Sequence, residues 1–521
     1  MRDTRIYAPS NCNMSCSKIL LGDLPELAYK VINYLQNDYS TLYSCILVNR
    51  LWCRLAIPLL WENPFSISAR NYSFIEIYLY DLEIINNSLY PNVLFNYSRF
   101  LKYLNIFKFI FSVDKWFDPD IRTSPPKNES CLVPISRNTI TAEICVLLFK
   151  IFIENEITLH TLEIEICGNC YQPCFDNILE LIFKNANFTH NIRNLNLFTI
   201  DDSSKYVSIK NRISQIIHLQ QNLKKILLSN NSSSLYLSLL LSKDYNYSNT
   251  LNTIIFHRVN LNGFNNLQKV FEQLNVLESV HIAYCYYLHA SFTQQIINLT
   301  KPFKLKSLFL SEIQQLESLE LLLQKSGDYL ENFGIAKLNN GLSSNQQLLE
   351  LITKYCKNIK LFDFYVPISQ IIYQIFNLIE NIKQNLNYLS ISLGYKNTGP
   401  KCCSIILRKL GQKLPPKLEY LCLNFYYIEA SDFEVFLKNS KDTFINKLLI
   451  NNSEGQDILP FIKEYIMKKK RVRYLAIKES ILVKELVSFK DEANEFRLYN
   501  IKVQSYQSLE INLHNYIKEI D

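Results

Sequence analysis

One pattern constrains this chain more than any other: apolar-x-x-apolar-x-apolar, returning from about residue 100 almost to the C-terminus. It reads Leu101-x-x-Leu104-x-Ile106, Leu159-x-x-Leu162-x-Ile164, Ile192-x-x-Leu195-x-Leu197 and Leu223-x-x-Ile226-x-Leu228. It continues through copies at Leu251, Leu277, Leu305, Leu330, Ile359, Leu386, Leu418, Ile445 and Val472, with a weaker one at Phe496-x-x-Tyr499-x-Ile501. From Leu159 onward successive starts lie about 24 to 33 residues apart, the spacing of a repeat architecture. The apolar-x-apolar pair is a short strand with alternating faces. Most intervals hold an amphipathic helix, as in Phe264, Leu267, Val270, Phe271 and Leu274, or in Leu348, Leu351, Ile352 and Tyr355. One strand and one helix cannot bury both apolar faces alone, but stacked copies share a continuous core. The pattern predicts a curved α/β solenoid with parallel strands inside and helices outside.

On such a scaffold the strand residues alternating with buried ones face the ligand side. They include Glu163, Glu165, His257, His281, Phe309, Asn424 and Lys478. The residues selected as target-binding candidates are Asp363, Tyr365, Tyr388, Tyr420 and Tyr474, because exposed aromatics are good interface anchors. The segment from Ser508 to Asp521, with Leu509, Leu513, Tyr516 and Ile517, predicts a capping helix over the open end of the stack.

Ahead of the array, Leu24–Trp61 reads as three short helices. Pro25 suits a first helical position and Glu26 a first turn. Leu27, Val31 and Leu35 follow at helical spacing, Asp38 or Ser40 can cap a second helix with Leu42, Cys45, Ile46 and Leu47, and a third carries Leu51, Trp52, Leu55, Leu59 and Leu60. Pro58 is placed to kink or end it. So small a core is marginal alone and is completed by a neighbour or a partner.

These residues resemble the F-box family: Leu24-Pro25-Glu26, Val31-Ile32, Leu35, Leu42-Tyr43-Ser44-Cys45, Val48-Asn49-Arg50-Leu51-Trp52 and the closing Leu60-Trp61. The array is similar to leucine-rich repeats of the cysteine-containing kind found behind F-boxes. Val280-x-Ile282-x-x-Cys285-x-x-Leu288 fits that form and Leu162-x-Ile164-x-x-Cys167 fits it partially, while Gly394, Tyr426 and Ser453 stand where other copies lack the Cys or Asn. The resemblance implies a three-helix F-box followed by a repeat solenoid. It implies a non-catalytic subunit of a Skp–cullin–F-box ubiquitin ligase that docks a Skp-type adaptor and, through it, a cullin–RING ligase. Leu24, Pro25, Val31, Leu35 and Trp52 are the candidate adaptor contacts, and the repeat face would hold a protein target. The alternative is a ligase-independent repeat scaffold whose helical unit is only an N-terminal cap. The boundaries that follow are a flexible arm over 1–18, the helical head over 19–64, a connecting region with the first degenerate copy and a Pro-rich loop over 65–138, and the array with its capping helix over 139–521.

Composition narrows the alternatives. Hydrophobic residues are 48% and charged residues 20% of 521, ample for a core. Only 10 glycines occur, and no phosphate-loop motif is found. A net charge of +7 is too modest for the clustered basic face of a nucleic-acid binder, so no nucleic acid is expected. The N-terminal stretch lacks an apolar signal core, and no run reaches the length of a membrane span. A cytoplasmic or nuclear location without membrane partners is expected, and the 14 Cys read as reduced thiols.

Cys167-x-x-Cys170-x3-Cys174 with His160 and His190 invites a zinc reading, but structural zinc favours paired short spacings and no second pair follows. No metal, cofactor or catalytic residue is assigned. Lys468-Lys469-Lys470-Arg471-Val472-Arg473 reads foremost as the solvated, dipole-complementing end of a helix, with a nuclear import signal as the alternative.

Overall fold

The computed structural model of the chain describes residues 25–36, 38–66, 72–79, 95–117, 135–166, 171–199, 207–230, 236, 240, 247–312, 315–336, 342–366, 369–393, 400–479 and 484–520. They form two compact units, one up to Lys224 and one from Lys225 onward.

The first unit opens with three helices, α1 (Pro25–Tyr34), α2 (Tyr39–Ile46) and α3 (Arg50–Leu60). Side-chain caps set two of the starts. Asp38 accepts the Thr41 N–H at 3.0 Å and Asn49 accepts the Trp52 N–H at 2.9 Å, each satisfying an orphan first-turn donor. Ile32, Leu42, Cys45, Trp52 and Ala56 form the head's core, with Leu35, Ile46 and Leu55 packed against it. Pro58 lies inside α3, close to its end at Leu60. The chain then turns back: the Glu62 carbonyl accepts the N–H groups of Lys102 and Tyr103, both at 3.0 Å. Trp61 sits 5.2 Å from Tyr78 and 4.5 Å from Tyr97, ring centre to ring centre.

That return leads into three parallel strands, β1 (Tyr103–Asn105), β2 (Thr161–Ile166) and β3 (Asn194–Thr199), aligned Leu104↔Leu162↔Leu195. In the first copy Ile106 begins a helix rather than ending the strand. Helices over Ile106–Phe117, Ile135–Glu154 and Gln172–Lys184 bury Phe109, Phe149, Phe152 and Phe175.

The second unit is the longer array. Strands β4 (Lys225–Ser229), β5 (Thr253–His257), β6 (Ser279–Ala283), β7 (Leu305–Leu310) and β8 (Asn332–Ile335) pair in parallel and in chain order. So do β9 (Leu361–Val366), β10 (Tyr388–Leu393), β11 (Lys417–Phe425), β12 (Phe444–Asn452) and β13 (Val472–Glu479). The middle apolar residue of each copy meets its counterpart: Phe333↔Phe362↔Leu389↔Leu421↔Leu448↔Leu475. The register shifts between Val280 and His281, where β6 meets β7. Helices such as Leu342–Tyr355, Ile372–Ile382 and Pro400–Lys413 alternate with the strands, and their buried Leu348, Ile375, Ile379 and Leu407 complete the core. Each unit is thus a solenoid-like α/β arrangement, as the repeat period predicts.

Two expectations change at the C-terminal end. The copy at Phe496 is a helix (Lys490–Leu498) followed by a turn, and the strand comes slightly later as β15 (Lys502–Val503), parallel to β13. A second short strand, β14 (Lys484–Glu485), pairs antiparallel with β13. The segment read as one capping helix is broken at Glu510–Asn512 into two short helices, Tyr506–Leu509 and Leu513–Glu519. It lies across the strand faces rather than over the end of the stack, because its apolar residues find partners there. Among the described residues no helix is long and apolar enough to cross a membrane.

Candidate functional site

In the head, Leu27, Val31 and Tyr34 follow one another at helical spacing along α1 and stay exposed, Tyr34 at 88%. Tyr43 and Leu47 lie four residues apart at the end of α2, and Leu47 is 77% exposed, with Val48 beside it also open. Side chains three and four apart share a helix flank, so a three-helix unit with its own filled core still presents apolar side chains outward. Of the residues singled out in the sequence as adaptor contacts, Val31 belongs to this flank and Leu35 is half-buried against the head's core. Trp52 is 7% exposed and belongs to that core. Leu24 lies outside the described residues, and Pro25 is the first residue of α1, its side chain outside them. Sequence reading did not single out Tyr34, Tyr43, Leu47 or Val48 as contacts; it placed Leu47 with the apolar residues of the second helix, where the structure leaves it open. Helical periodicity separates inside from outside, but it does not say which outside residues are unusually apolar for their position.

In the second unit, the strand face turned away from the helices is largely covered by the chain itself. From β15 the backbone leaves the sheet edge, with the Gln504 N–H on the Leu475 carbonyl at 3.0 Å. The Tyr506 N–H donates to Glu485 Oε2 at 3.1 Å. Tyr506 and Leu509 then enter an apolar cluster with Tyr420, Cys422, Leu449 and Ala476, and Tyr388, Tyr474 and Ile511 pack on its margin. Cys422 Sγ and Tyr506 Oη are 3.2 Å apart, and the Ile511 N–H donates to Tyr420 Oη at 3.3 Å. Further along, Tyr516 Oη donates to Asn332 Oδ1 at 3.0 Å and the His514 ring lies 5.1 Å from that of His257. Lys225 Nζ closes the run, donating to the carbonyls of Lys518 and Ile520 at 3.1 and 2.7 Å. This strap crosses from β13 back to β4.

Strap and strands enclose a cavity of about 220 Å³. Asp363, Tyr388, Ser390, Ser392, Tyr420, Cys422 and Asn424 line it from β9–β11, and Tyr506, Glu510, Ile511 and Leu513 from the strap. Burial pushes the Asp363 carboxyl above its usual range; a hydrogen bond with Ser390 opposes this and the Glu510 charge adds to it. Burial likewise raises the Cys422 thiol to about 11 and the Tyr420 and Tyr506 phenols above their ordinary value. A low-dielectric, cation-poor lining accounts for all of these directions.

The structure therefore corrects the target-face expectation at several positions. Tyr420 is 3% exposed and its hydroxyl already has a partner in the strap. Tyr388 and Tyr474 are half-buried at its edge, Asp363 faces the cavity and Tyr365 is half-buried on β9. Phe309, His281 and His257 are also buried, not open to a ligand. Beneath the strap two Ser–His pairs form in space, Ser229 Oγ with His257 Nδ1 at 3.0 Å and Ser307 Oγ with His281 Nδ1 at 2.8 Å. All four side chains are buried, and Asn332 Nδ2 holds the Ser307 hydroxyl at 2.9 Å. Hydroxyls so engaged act as links in a polar ladder across neighbouring strands.

The remaining sequence features resolve individually. Cys285 Sγ donates to the Phe256 carbonyl at 3.4 Å, and burial raises its thiol to about 12; it is a structural donor at a strand exit. Asn452, immediately before Ser453, has the matching role: it accepts the Ile428 N–H and donates to the Gln456 carbonyl. A Cβ on Gly455 would overlap both Asn452 Oδ1 and the Ile428 backbone. Cys167 and Cys170 lie outside the described residues, while Cys174 is buried. Among the described residues no group of three or more His, Cys, Asp or Glu side chains is placed to hold a metal. No known family model matches the chain, and no curated protein matches it.

Proposed function

We propose that the chain is a substrate-recognition subunit of a Skp–cullin–F-box type ubiquitin ligase. In this reading the head is an F-box that docks a Skp-type adaptor, and the repeat array holds a protein target on its strand face. The observation that carries it is the apolar flank of α1 and the α2–α3 turn, with Leu27, Val31, Tyr34, Leu47 and Val48 exposed outside a head core that is already complete. Exposed apolar side chains in such numbers on so small a unit favour a covering partner. The subunit performs no bond chemistry of its own. It tethers a target lysine near a charged conjugating enzyme, turning a bimolecular encounter into an intramolecular one. A cytoplasmic or nuclear setting goes with this role.

In this reading the exposed Val31, Leu47 and their neighbours would make the contact, whereas Trp52, in the head's core, and Leu35, packed against it, would hold α1–α3 in position. Co-purification of the full chain with a Skp-type adaptor tests this directly. Val31→Asp combined with Leu47→Asp is expected to abolish capture with no loss of thermal stability. Unchanged capture by that double variant, or no capture by the native chain, ends the ligase reading. A second reading, a ligase-independent repeat scaffold, is favoured by the pairing of Glu62 with Lys102 and Tyr103, through which the head also caps the first strand. It predicts partners that survive the same double substitution.

A further inference from the structure

The strap makes a specific statement about the array's partner, one that rests on the reading of the strand face as a target-binding surface. We propose that Ser505–Ile520 is an internal occupant of that face, and that the target it stands in for is a peptide segment with an aromatic residue and a leucine three apart, followed by a basic residue where the strap carries Glu510.

Three features of the geometry support displacement rather than permanent filling. First, no residue of the strap belongs to a strand of the sheet; the strand before it, β15, ends at Val503 and pairs with β13. Lifting the strap therefore leaves every strand pair and the helix-facing core intact. Second, few of its side chains are fully buried. Tyr506, Leu509 and Ile517 are buried, while Gln507, Ser508, Glu510, Asn512 and Asn515 are exposed. The aromatic-x-x-leucine pair of one helical turn supplies the apolar contact with Cys422, Leu449 and Ala476. Third, the fit is imperfect at one point. The cavity under the strap brings the Asp363 and Glu510 carboxylates to a common space, and among the described residues its lining contains no Lys, Arg or His. Two carboxylates brought to one space repel, the Glu510 charge acting on buried Asp363 in that sense, and a ligand carrying a cation there would exchange that repulsion for attraction. A tethered occupant with a built-in mismatch can hold the face closed yet give way to a better-matched segment in trans, because apparent affinity scales with the open fraction.

The test uses the full-length chain and fluorescent peptides of residues 504–520, one native in sequence and one with Glu510→Lys. Anisotropy should show the Glu510→Lys peptide binding the strap-loosened variant, Tyr506→Ala with Leu509→Ala, at least tenfold more tightly than it binds the native chain. It should also bind at least threefold more tightly than the native-sequence peptide, and Asp363→Asn should erase that preference. Equal affinity of the loosened and native chains, or binding to neither, overturns displacement; equal affinity of the two peptides overturns the basic-residue specificity. Hydrogen exchange on the unmodified chain supplies a readout independent of the variants. Strap amides should exchange at least a hundredfold faster than those of β10–β12, and equal protection would mean that the strap is fixed core. No adaptor enters these measurements, so lost adaptor capture with peptide binding intact would fault the ligase reading alone.

Discussion

Arg471 shows how a single side chain can differ in kind from its neighbours in sequence. Lys468, Lys469 and Lys470 are exposed, as a solvated helix end requires. Arg471 is 8% exposed and turns inward, its guanidinium donating to the carbonyls of Thr443 at 3.3 Å and Leu437 at 3.1 Å, and to Ser440 Oγ at 3.1 Å. Burial lowers its pKa, and the Asp442 charge opposes this. Removing a buried multidentate donor leaves those carbonyls unpaired, at about 1–3 kcal/mol for each group left unsatisfied. Arg471→Ala is therefore expected to destabilise the chain by roughly 3 kcal/mol in urea denaturation, with Arg471→Lys in between, while Lys469→Ala stays within about 0.5 kcal/mol.

His257 carries the acid sensitivity of the strap's far end. Burial depresses its pKa to about 3, with the His514, Arg258 and Lys518 charges acting in the same direction. Between that value and the unfolded value near 6.5 the unfolded chain binds more protons, so stability falls as pH drops through 6.5 and levels off near 3. The slope is about 1.4 kcal/mol per pH unit, or roughly 2 kcal/mol between pH 6.5 and 5. Denaturation at those two pH values should show this loss, and His257→Asn should remove its own share. An unchanged slope in the variant would assign the acid response to other groups.

At the scale of elements, the head separates packing from presentation. α1–α3 close a core on Ile32, Leu42, Cys45, Trp52 and Ala56, and the flank with Val31 contributes little to it. Trp52→Ala should cost about 3–5 kcal/mol, as for a large aromatic lost from a core, and should melt the head cooperatively in a thermal scan. If Trp52→Ala left the head's melting unchanged while removing adaptor capture, Trp52 would be a contact and not a core residue. The strands show the reverse economy: one side chain in two is fixed by the core, and the alternate one is free for whatever crosses the face. On β11–β13 that alternate set includes Cys422, Leu449 and Ala476, small and apolar enough to receive Tyr506 and Leu509.

Over the whole molecule, what was legible in the chain and what was not divide by the range of the forces involved. The strand positions at Leu162, Leu195, Phe362, Leu389, Leu421, Leu448 and Leu475 follow from a period-2 alternation within a repeat, and all fall in paired strands. The cap at Asp38 is equally local. Tyr420 illustrates the limit. The alternation assigns it correctly to the face away from the helices, yet it is buried there because Ile511, ninety-one positions later in the chain, arrives to cover it. The C-terminal segment misleads in the same way, since its spacing of Leu509, Leu513, Tyr516 and Ile517 announces a helix but not a destination. Local sequence determined that this chain would build strand–helix copies and three short leading helices, because periodicity and capping act over a few residues. Only the tertiary structure decided which exposed side chains stay open and which are claimed by a distant segment of the chain, because burial depends on contacts between segments that no local period encodes.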